Sequence, residues 1–397
     1  MNAAIRQYLV ITGNYWAFTL TDGALRMLVV LHFHQLGYSP LQIALLFVFY
    51  EFFGVVTNLL GGYLGARMGL NRTMNIGLFL QIAALAMLAV PATMLSVPWV
   101  MAAQAMSGIA KDLNKMSAKS GIKLLVPDEQ QGTLYKWVAI LTGSKNTLKG
   151  VGFFLGGVLL MSVGFTGAVL AMAVALGLVW LASLFLLKQE LGKSTAKPKF
   201  REILSKSRAI NVLSAARMFL FGARDVWFVV ALPVYLHAVF GWDFWKVGGF
   251  MATWVIGYGF IQAMAPRITG TGEGKQPVAF WAAALALVPA AIAFGLMVGW
   301  SPQFVVVGGL LLFGILFAIN SSLHSYLIVS YARGDGVSLD VGFYYMSNAA
   351  GRLLGTILSG WVYQVYGLEA CLWISSGLLA AAALLSLMLP ERRVARA

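Results

Sequence analysis

Charge is what this chain has least of. Its 28 Lys and Arg and 14 Asp and Glu make up 11% of 397 residues, against about a quarter in ordinary soluble domains. A water-soluble globule of this composition lacks the polar surface to cover itself. A single cysteine, Cys371, excludes an intrachain disulfide. Four histidines in all supply no metal cluster, and no nucleophile–base–orienter set of an enzyme is visible. No phosphate-binding loop of the form G-x-x-x-x-G-K-S/T occurs, so ATP-driven work has no support within the chain. Disorder is excluded as well, because it requires low hydrophobicity.

What is present points to a bilayer. Hydrophobic residues are 60% of the chain and the mean hydropathy is +0.81. The 43 glycines and 12 tryptophans suit membrane helices, where small residues allow close approach and Trp marks the interfaces. At about 20 residues per span, twelve spans use roughly 240 residues. The rest divides among eleven loops and two tails of about a dozen residues each, with no room for a soluble catalytic domain. The expected fold is therefore all-α and integral to the membrane.

Apolar segments fall near 8–34, 41–64, 73–95, 99–118, 134–161 and 165–187, then near 210–238, 247–266, 277–300, 304–328, 341–366 and 370–389. The first is long, interrupted by charge and without an obvious cleavage site, so it reads as a retained helix. Between the two sets lies KQELGKSTAKPKFREILSKSR, with seven basic residues against two Glu. The predicted organisation is thus a six-helix bundle over 1–187, a basic linker over 188–208 with an amphipathic stretch at FREILSKS, and a second six-helix bundle over 209–397. With the N-terminus in the cytosol, nineteen basic residues lie on the cytosolic side, among them Arg6, Arg67, Arg72, Lys119, Lys123, Lys136, Arg267, Lys275, Arg333, Arg392, Arg393 and Arg396, and only Lys246 opposite. That asymmetry puts both termini and the linker inside. Here the net charge of +14 marks topology, not nucleic acid.

A weak repeat relates the halves. The first segment runs TDGALRMLVVLHFHQLGY and the seventh GARDVWFVVALPVYLHAVFGW. Each has an Arg/Asp group, a Leu-His pair (Leu31-His32, Leu236-His237) and a Gly-aromatic pair (Gly37-Tyr38, Gly241-Trp242). Two parallel six-helix repeats with a basic central loop are how a transporter of the major facilitator type looks from sequence.

Eight basic residues remain within the predicted spans: Arg26, Lys111, Lys115, Lys145, Lys149, Arg217, Arg224 and Arg352. Four acids accompany them, Asp22, Glu51, Asp112 and Asp225, with Asp340 at a helix end. Each such charge costs at least about 2.5 kcal/mol to insert unless it is paired or faces water. The surplus of cations calls for a hydrated cavity whose missing counter-charges arrive on a multiply charged anionic substrate. Spacing groups them: Lys111 and Lys115, Lys145 and Lys149, and Asp22 and Arg26 are each i,i+4, and Arg217 and Arg224 lie seven apart. Arginine forks onto oxyanions while lysine acts as a movable point charge. Arg26, Lys111, Lys115, Lys145, Arg217 and Arg224 are accordingly the candidate substrate-binding residues. Asp22, Glu51 and Asp225 are the candidates for proton coupling, and Arg67, Asp112, Lys149 and Arg352 for gating.

Plainer readings stand beside these. Lys119, Lys123 and Lys136 are expected to snorkel to the cytosolic interface. Lys149 can pair structurally with Asp112 or Glu51, and Arg352, in SNAAGRLLG, can serve helix packing. Arg224 and Asp225 are adjacent, so they are not expected to face each other. His32-x-His34 suggests packing or pH sensing instead of a metal site, since side chains two apart diverge on a helix.

Two motifs carry a resemblance. GYLGARMGLNR, from Gly62 to Arg72, resembles the major facilitator loop pattern G-x-L-x-D-R-x-G-R-R, with Ala66 where the pattern has Asp; that loss questions the gating salt bridge the family makes there. GFFLGG, from Gly152 to Gly157, is similar to the exporter-type G-P-x-x-G-G motif with Phe153 in place of Pro. The stretches TGNYWAFTLTDGALRMLVVLHFHQLGYSP, SGIAKDLNKMSAKSGIKLLVP, YKWVAILTGSKNTLKGVGFFLGG and INVLSAARMFLFGARDVWFVVALPVYL further resemble the organoarsenical efflux transporters of bacterial arsenic-resistance operons, the ArsJ type. The resemblance implies export of 1-arseno-3-phosphoglycerate across the inner membrane by alternating access, with glyceraldehyde-3-phosphate dehydrogenase supplying the substrate. It implies arsenate resistance, no cofactor and a monomer. Organophosphate/phosphate exchange, or another anion/proton antiport, is the alternative within transport. A membrane sensor that binds an anion without moving it is the alternative outside it.

Overall fold

In the computed structural model the described residues are 3–38, 46–187, 191–194, 207–270, 278–333 and 336–390. They form α1 (Ala3–Gln35), α2 (Val48–Met68), α3 (Leu70–Leu88), α4 (Val97–Leu125), α5 (Gln131–Leu186), α6 (Arg208–Phe228), α7 (Ala231–Ala238), α8 (Phe244–Thr269), α9 (Val278–Met297), α10 (Pro302–Tyr331) and α11 (Val337–Ser386), with one 3-10 turn and no strand among them. The expected all-α membrane architecture is the one observed. Six stretches, 131–186, 208–238, 245–269, 278–297, 302–331 and 337–386, are long and apolar enough to cross a membrane.

Among the described residues eleven helices cover the twelve expected spans, because of three breaks. At 56 and 50 residues, α5 and α11 are each about twice the length of a span. Gly164 (φ 69°) divides α5 and Gly367 (φ 81°) divides α11, both in the left-handed region that glycine enters without a Cβ penalty. The seventh span is broken in the opposite sense, into α6 and α7 at Val229 and Val230. Pro233 explains this, since its ring clashes with the carbonyl four residues earlier and it has no N–H to donate. The Ala231 N–H, freed by the break, donates to Ser359 Oγ at 3.1 Å.

Helix starts follow ordinary capping chemistry. Ser207 Oγ accepts from the Ile210 N–H at α6, and Asp243 Oδ1 from the Lys246 N–H at α8. Of the linker 188–208, residues 191–194 and 207–208 are described; the remainder, including the stretch 200–206 expected to be amphipathic, lies outside the described residues, as do Lys275, Arg392, Arg393, Arg396 and the His34 side chain. Residues 191–194 lie along the turn between α2 and α3. The Leu70 N–H donates to the Leu191 carbonyl (2.7 Å) and the Ser194 N–H to the Ala66 carbonyl (2.8 Å).

The chain divides into two compact units. The first holds 1–127, 144–205 and 332–346, and the second 128–143, 206–331 and 347–397. Each keeps most of one half of the chain but exchanges a helix start, so that α5 begins in the second unit and α11 in the first. The first core is built on Leu25, Leu28, Phe33, Leu85 and Ala168, the second on Trp227, Phe313, Phe317 and Leu372. Large apolar side chains such as Met161, Phe185, Phe304 and Leu387 are left exposed, as lipid contact requires.

Within each unit glycines set the closest helix contacts. In the first, a Cβ on Gly23 would lie 2.6 Å from the Lys149 carbonyl oxygen and one on Gly152 2.7 Å from that of Leu20; Gly156 abuts the Ala24 carbonyl. In the second, a Cβ on Gly355 would lie 2.6 Å from the Gly222 carbonyl oxygen, and Gly351 abuts that of Met218. Gly342 meets the Asn58 carbonyl in the first unit, and Gly143 meets Gly259 in the second. Gly23 and Gly222, Gly143 and Gly342, Gly152 and Gly351, and Gly156 and Gly355 are each 199 positions apart. The Leu-His and Gly-aromatic landmarks are five or six residues further apart than that, and the excess falls where Pro233 breaks the seventh span.

Candidate anion-binding site

In the first unit α1 carries Asp22 and Arg26, α2 carries Tyr50 and Glu51, and α4 carries Lys111, Asp112 and Lys115. Glycine brings the last two helices together: a Cβ on Gly108 would lie 2.6 Å from the Tyr50 carbonyl oxygen, and one on Gly54 would lie 3.1 Å from Asp112 Oδ2. Arg26 Nη2 donates to Glu51 Oε1 at 3.1 Å, and these two side chains are 27% and 30% exposed. Tyr50 is the hub. Its hydroxyl donates to Asp22 Oδ1 (2.8 Å), while its ring lies under both Arg26 (4.7 Å) and the Lys111 ammonium (3.8 Å). An aromatic face holds a cation at about 0.5–2 kcal/mol without neutralising it. Asp112, almost fully buried, takes Lys115 Nζ at 2.5 Å and Lys111 Nζ at 3.9 Å. One carboxylate is thus shared by two ammonium groups.

The second unit repeats that sharing with arginine. Asp225 is fully buried; its Oδ1 accepts from Arg224 Nε at 2.5 Å and its Oδ2 from Arg352 Nε at 3.1 Å. Arg224 lies beside the rings of Phe221 (4.8 Å) and Phe317 (5.4 Å). Arg217 is more enclosed, 3% exposed, and donates to Asn348 Oδ1 (2.9 Å) and to the carbonyl and hydroxyl oxygens of Ser321. Asn348 stands 199 positions after Lys149, so the repeat keeps the site and changes its chemistry.

Two expectations are corrected. Arg224 and Asp225 do interact, because the arginine stem is long enough to fold back onto the neighbouring carboxylate. Lys119 and Lys123 do not snorkel; they are 3% and 6% exposed, and the Lys119 ammonium lies 5.6 Å from the Tyr345 ring, which also lies 4.5 Å from Lys115. Tyr345 reaches them because the start of α11 packs in the first unit, with Ser338 Oγ donating to the Gly62 carbonyl (2.8 Å). Asp112, expected as a gating residue, lies against Lys111 and Lys115, which were expected to bind substrate.

The other predicted residues have the following contacts. Lys145 donates to Asn146 Oδ1 (3.3 Å). Lys149 lies on α5, its carbonyl against Gly23. Arg67 is exposed and donates to Tyr63 Oη at 2.9 Å. His32 stacks on Phe165 (4.1 Å between ring centroids). Tyr50, Tyr345, Asn348, Ser321 and His324 were not anticipated. His324 is fully buried, and neither ring nitrogen has a hydrogen-bond partner among the described residues. Its signal was legible as NSSLHSY, a polar run inside an apolar helix.

Apolar helices in two repeat-related units, each with a buried carboxylate shared by two partly buried cations, are the build of a polytopic membrane transporter. The model of the Major Facilitator Superfamily matches residues 9–339, and the chain belongs to that superfamily, whose members are transporters. Solved structures agree on the fold. A human organic anion transporter is 18% identical with a TM-score of 0.77, over 97% of this chain and 100% of that one. The E. coli fucose:proton symporter is 13% identical with a TM-score of 0.74, over 98% and 100%. A proton:xylose symporter is 14% identical with a TM-score of 0.74, over 98% and 96%. No curated protein matches the chain.

Proposed function

We propose that this protein is a secondary active exporter of an organic arsenate or phosphate polyanion, 1-arseno-3-phosphoglycerate, working by alternating access and conferring arsenate resistance. The observation that carries the reading is the pair of cationic clusters, in which Lys111 and Lys115 share Asp112 and Arg224 and Arg352 share Asp225. In the second unit Arg217, Arg224 and Arg352 outnumber the one carboxylate, Asp225, and that excess suits an oxyanion; in the first, Arg26, Lys111 and Lys115 are matched in number by Asp22, Glu51 and Asp112. Lysine and arginine both suit the tetrahedral oxygens of phosphate or arsenate. The fold likeness to a protein described as an organic anion transporter is consistent with such a cargo, and the resemblance to organoarsenical exporters names it.

On this reading glyceraldehyde-3-phosphate dehydrogenase makes the ester in the cytosol when arsenate replaces phosphate. The protein lies in the bacterial inner membrane with both termini cytosolic, and an inside-negative potential favours anion exit by about 2.3 kcal/mol per charge per 100 mV. Arg26, more than a quarter exposed, is the cation an arriving anion meets in the first unit, and Arg352, 28% exposed, the one it meets in the second.

The test is uptake into inside-out vesicles supplied with arsenate, glyceraldehyde-3-phosphate, NAD and the dehydrogenase. Arsenic accumulation only with the complete mixture supports the reading. Accumulation with arsenate alone makes the protein an inorganic oxyanion carrier, and none in competent vesicles removes the arsenic assignment. Exchange of an organophosphate for phosphate would show as uptake that requires phosphate inside the vesicle.

A further inference from the structure

The second unit buries polar groups that its arginine cluster does not use. Helix α10 carries NSSLHSY within an otherwise apolar run. In it His324, at both ring nitrogens, and Ser325, at Oγ, have no hydrogen-bond partner among the described residues, and both side chains are fully buried. On α6 the hydroxyl of Ser214 is in the same condition. A buried polar atom left unpaired has given up the hydrogen bonds it made in water, so several of them together call for a group that pairs them.

The packing of the two helices brings these groups to one place. Phe221 of α6 meets Phe317 of α10, with ring centroids 5.1 Å apart. One step back along α6 and one step on along α10, Arg217 donates to the Ser321 hydroxyl at 3.2 Å. The helices therefore run antiparallel and advance in register. Three residues further in each, about 4.5 Å, Ser214 comes level with His324. Ser214, Arg217 and Phe221 stand at i, i+3 and i+7, and Phe317, Ser321 and His324 at i, i+4 and i+7, so each set occupies one helix face. His324 lies less than a turn beyond the Arg217 contact, and Arg217 is the charge that acts on its ring. Asn348 Oδ1, accepting from Arg217 Nε at 2.9 Å, fixes the guanidinium from α11.

We propose that His324 and Ser214 form a hydroxyl-reading subsite beside Arg217, taking the carbon-bound hydroxyl of an organic phosphate or arsenate ester whose charged end lies toward the arginine. The inference rests on the reading of the protein as an organic-anion exporter and deepens it. A second cation next to Arg217 in a dry helix interface is repelled, so the ring is the neutral imidazole. Neutral imidazole and serine hydroxyl each offer a donor and an acceptor. An ionised oxygen only accepts, and would leave the acceptor atoms of both residues facing it. A hydroxyl donates to one of them and accepts from the other. Arginine cannot make that distinction, because it only donates. Arg217 therefore answers to charge, while His324 and Ser214 separate a hydroxylated ester from an anion of equal charge without the hydroxyl. The subsite is closed in this conformation, and alternating access, on the proposed function, opens it.

Two probes of equal charge test this on the purified full chain in detergent: 3-phosphoglycerate and 3-phosphooxypropanoate, which differs by lacking the hydroxyl. Apparent Kd values come from thermal-shift titrations. The wild type should bind 3-phosphoglycerate about tenfold or more tightly than the deoxy compound, since a site built to pair a hydroxyl rejects the analogue without one. His324→Phe keeps a ring and removes both nitrogens; it should bring the two affinities within about twofold of each other, chiefly by weakening 3-phosphoglycerate. His324→Gln, whose amide still donates and accepts, should keep a preference of about threefold or more. Ser214→Ala should reduce the preference as His324→Phe does, and decides the matter if His324→Phe fails to fold. Equal affinities in the wild type, binding of neither probe, or a preference that survives both His324→Phe and Ser214→Ala overturns the proposal; in the last case the orphaned groups hold water only. The cargo reading is separable. If vesicles take up no arsenic from the complete mixture but the hydroxyl preference holds, the arsenic assignment falls and the subsite stands. Arsenic uptake by a protein that binds the two probes equally removes the subsite alone.

Discussion

Replacing Gly152 by Ala should cost the first unit measurable stability, and its size can be worked from the packing. The added Cβ would sit 2.7 Å from the Leu20 carbonyl oxygen and 3.0 Å from the Ala24 nitrogen. Both are backbone atoms, so no side chain can rotate away. Reaching 3.4 Å, the near edge of ordinary contact, requires α1 and α5 to part by about 0.7 Å, and overpacking of this kind costs about 1–3 kcal/mol. Gly355→Ala, 2.6 Å from the Gly222 carbonyl oxygen, should do the same in the second unit. Gly177→Ala and Gly377→Ala are the controls, because nothing lies within 4 Å of a Cβ at either position. There only the helix preference of alanine acts, a gain of about 0.5–1 kcal/mol. For units of about 200 residues 1 kcal/mol moves Tm by roughly 2–4 °C. Thermal unfolding of the purified proteins in detergent, followed by tryptophan fluorescence, should therefore put the two classes several degrees apart. If Gly152→Ala melts with Gly177→Ala, the close approach of α1 and α5 is wrong.

Arg26→Ala should reduce arsenic export to background while the folded protein persists as a single peak in size exclusion; normal export removes Arg26 from the site. Tyr50→Phe keeps the ring under Arg26 and Lys111 and should leave the KM for export within about twofold, whereas Tyr50→Leu, losing a cation–π contact worth about 0.5–1 kcal/mol, should raise it about two- to fivefold. Equal values for the two variants would refute a role for the ring. Asp225→Asn strips Arg224 and Arg352 of their shared carboxylate, a loss of about 3–5 kcal/mol for a buried pair. Its Tm should fall and recover more with added phosphate than that of the wild type. A phosphate response no larger than in the wild type argues that Asp225 does not stand where an anion binds.

The spans were legible because twenty apolar residues in a row have few alternatives to a membrane helix. The breaks were less so. Gly164 and Gly367 fall where two spans were already expected, but Pro233 lies within one, and its effect depends on a carbonyl four residues earlier. The cations of the site could be counted from sequence, since charge inside a span is conspicuous. Their partners could not, because Tyr50 and Tyr345 look like two more aromatics in a chain that is 13% aromatic. The burial of Lys119 was invisible for a different reason. It depends on residues 332–346, more than two hundred positions away, folding into the first unit, and no local pattern announces that. Arg224 and Asp225 were misjudged by applying Cβ geometry to a side chain six bonds long.

The glycines at a spacing of 199 separate two properties that usually change together. At those positions the repeat is constrained by backbone meeting backbone, and the two copies are identical. One turn away the copies differ outright: Arg26 corresponds to Asp225, and Lys149 to Asn348. A scaffold arranged in this way lets the chemistry of the lining drift without loosening the frame. On the proposed function, cargo preference is rewritten by exchanging side chains on α1, α4 and α6, with the glycine contacts left as fixed joints.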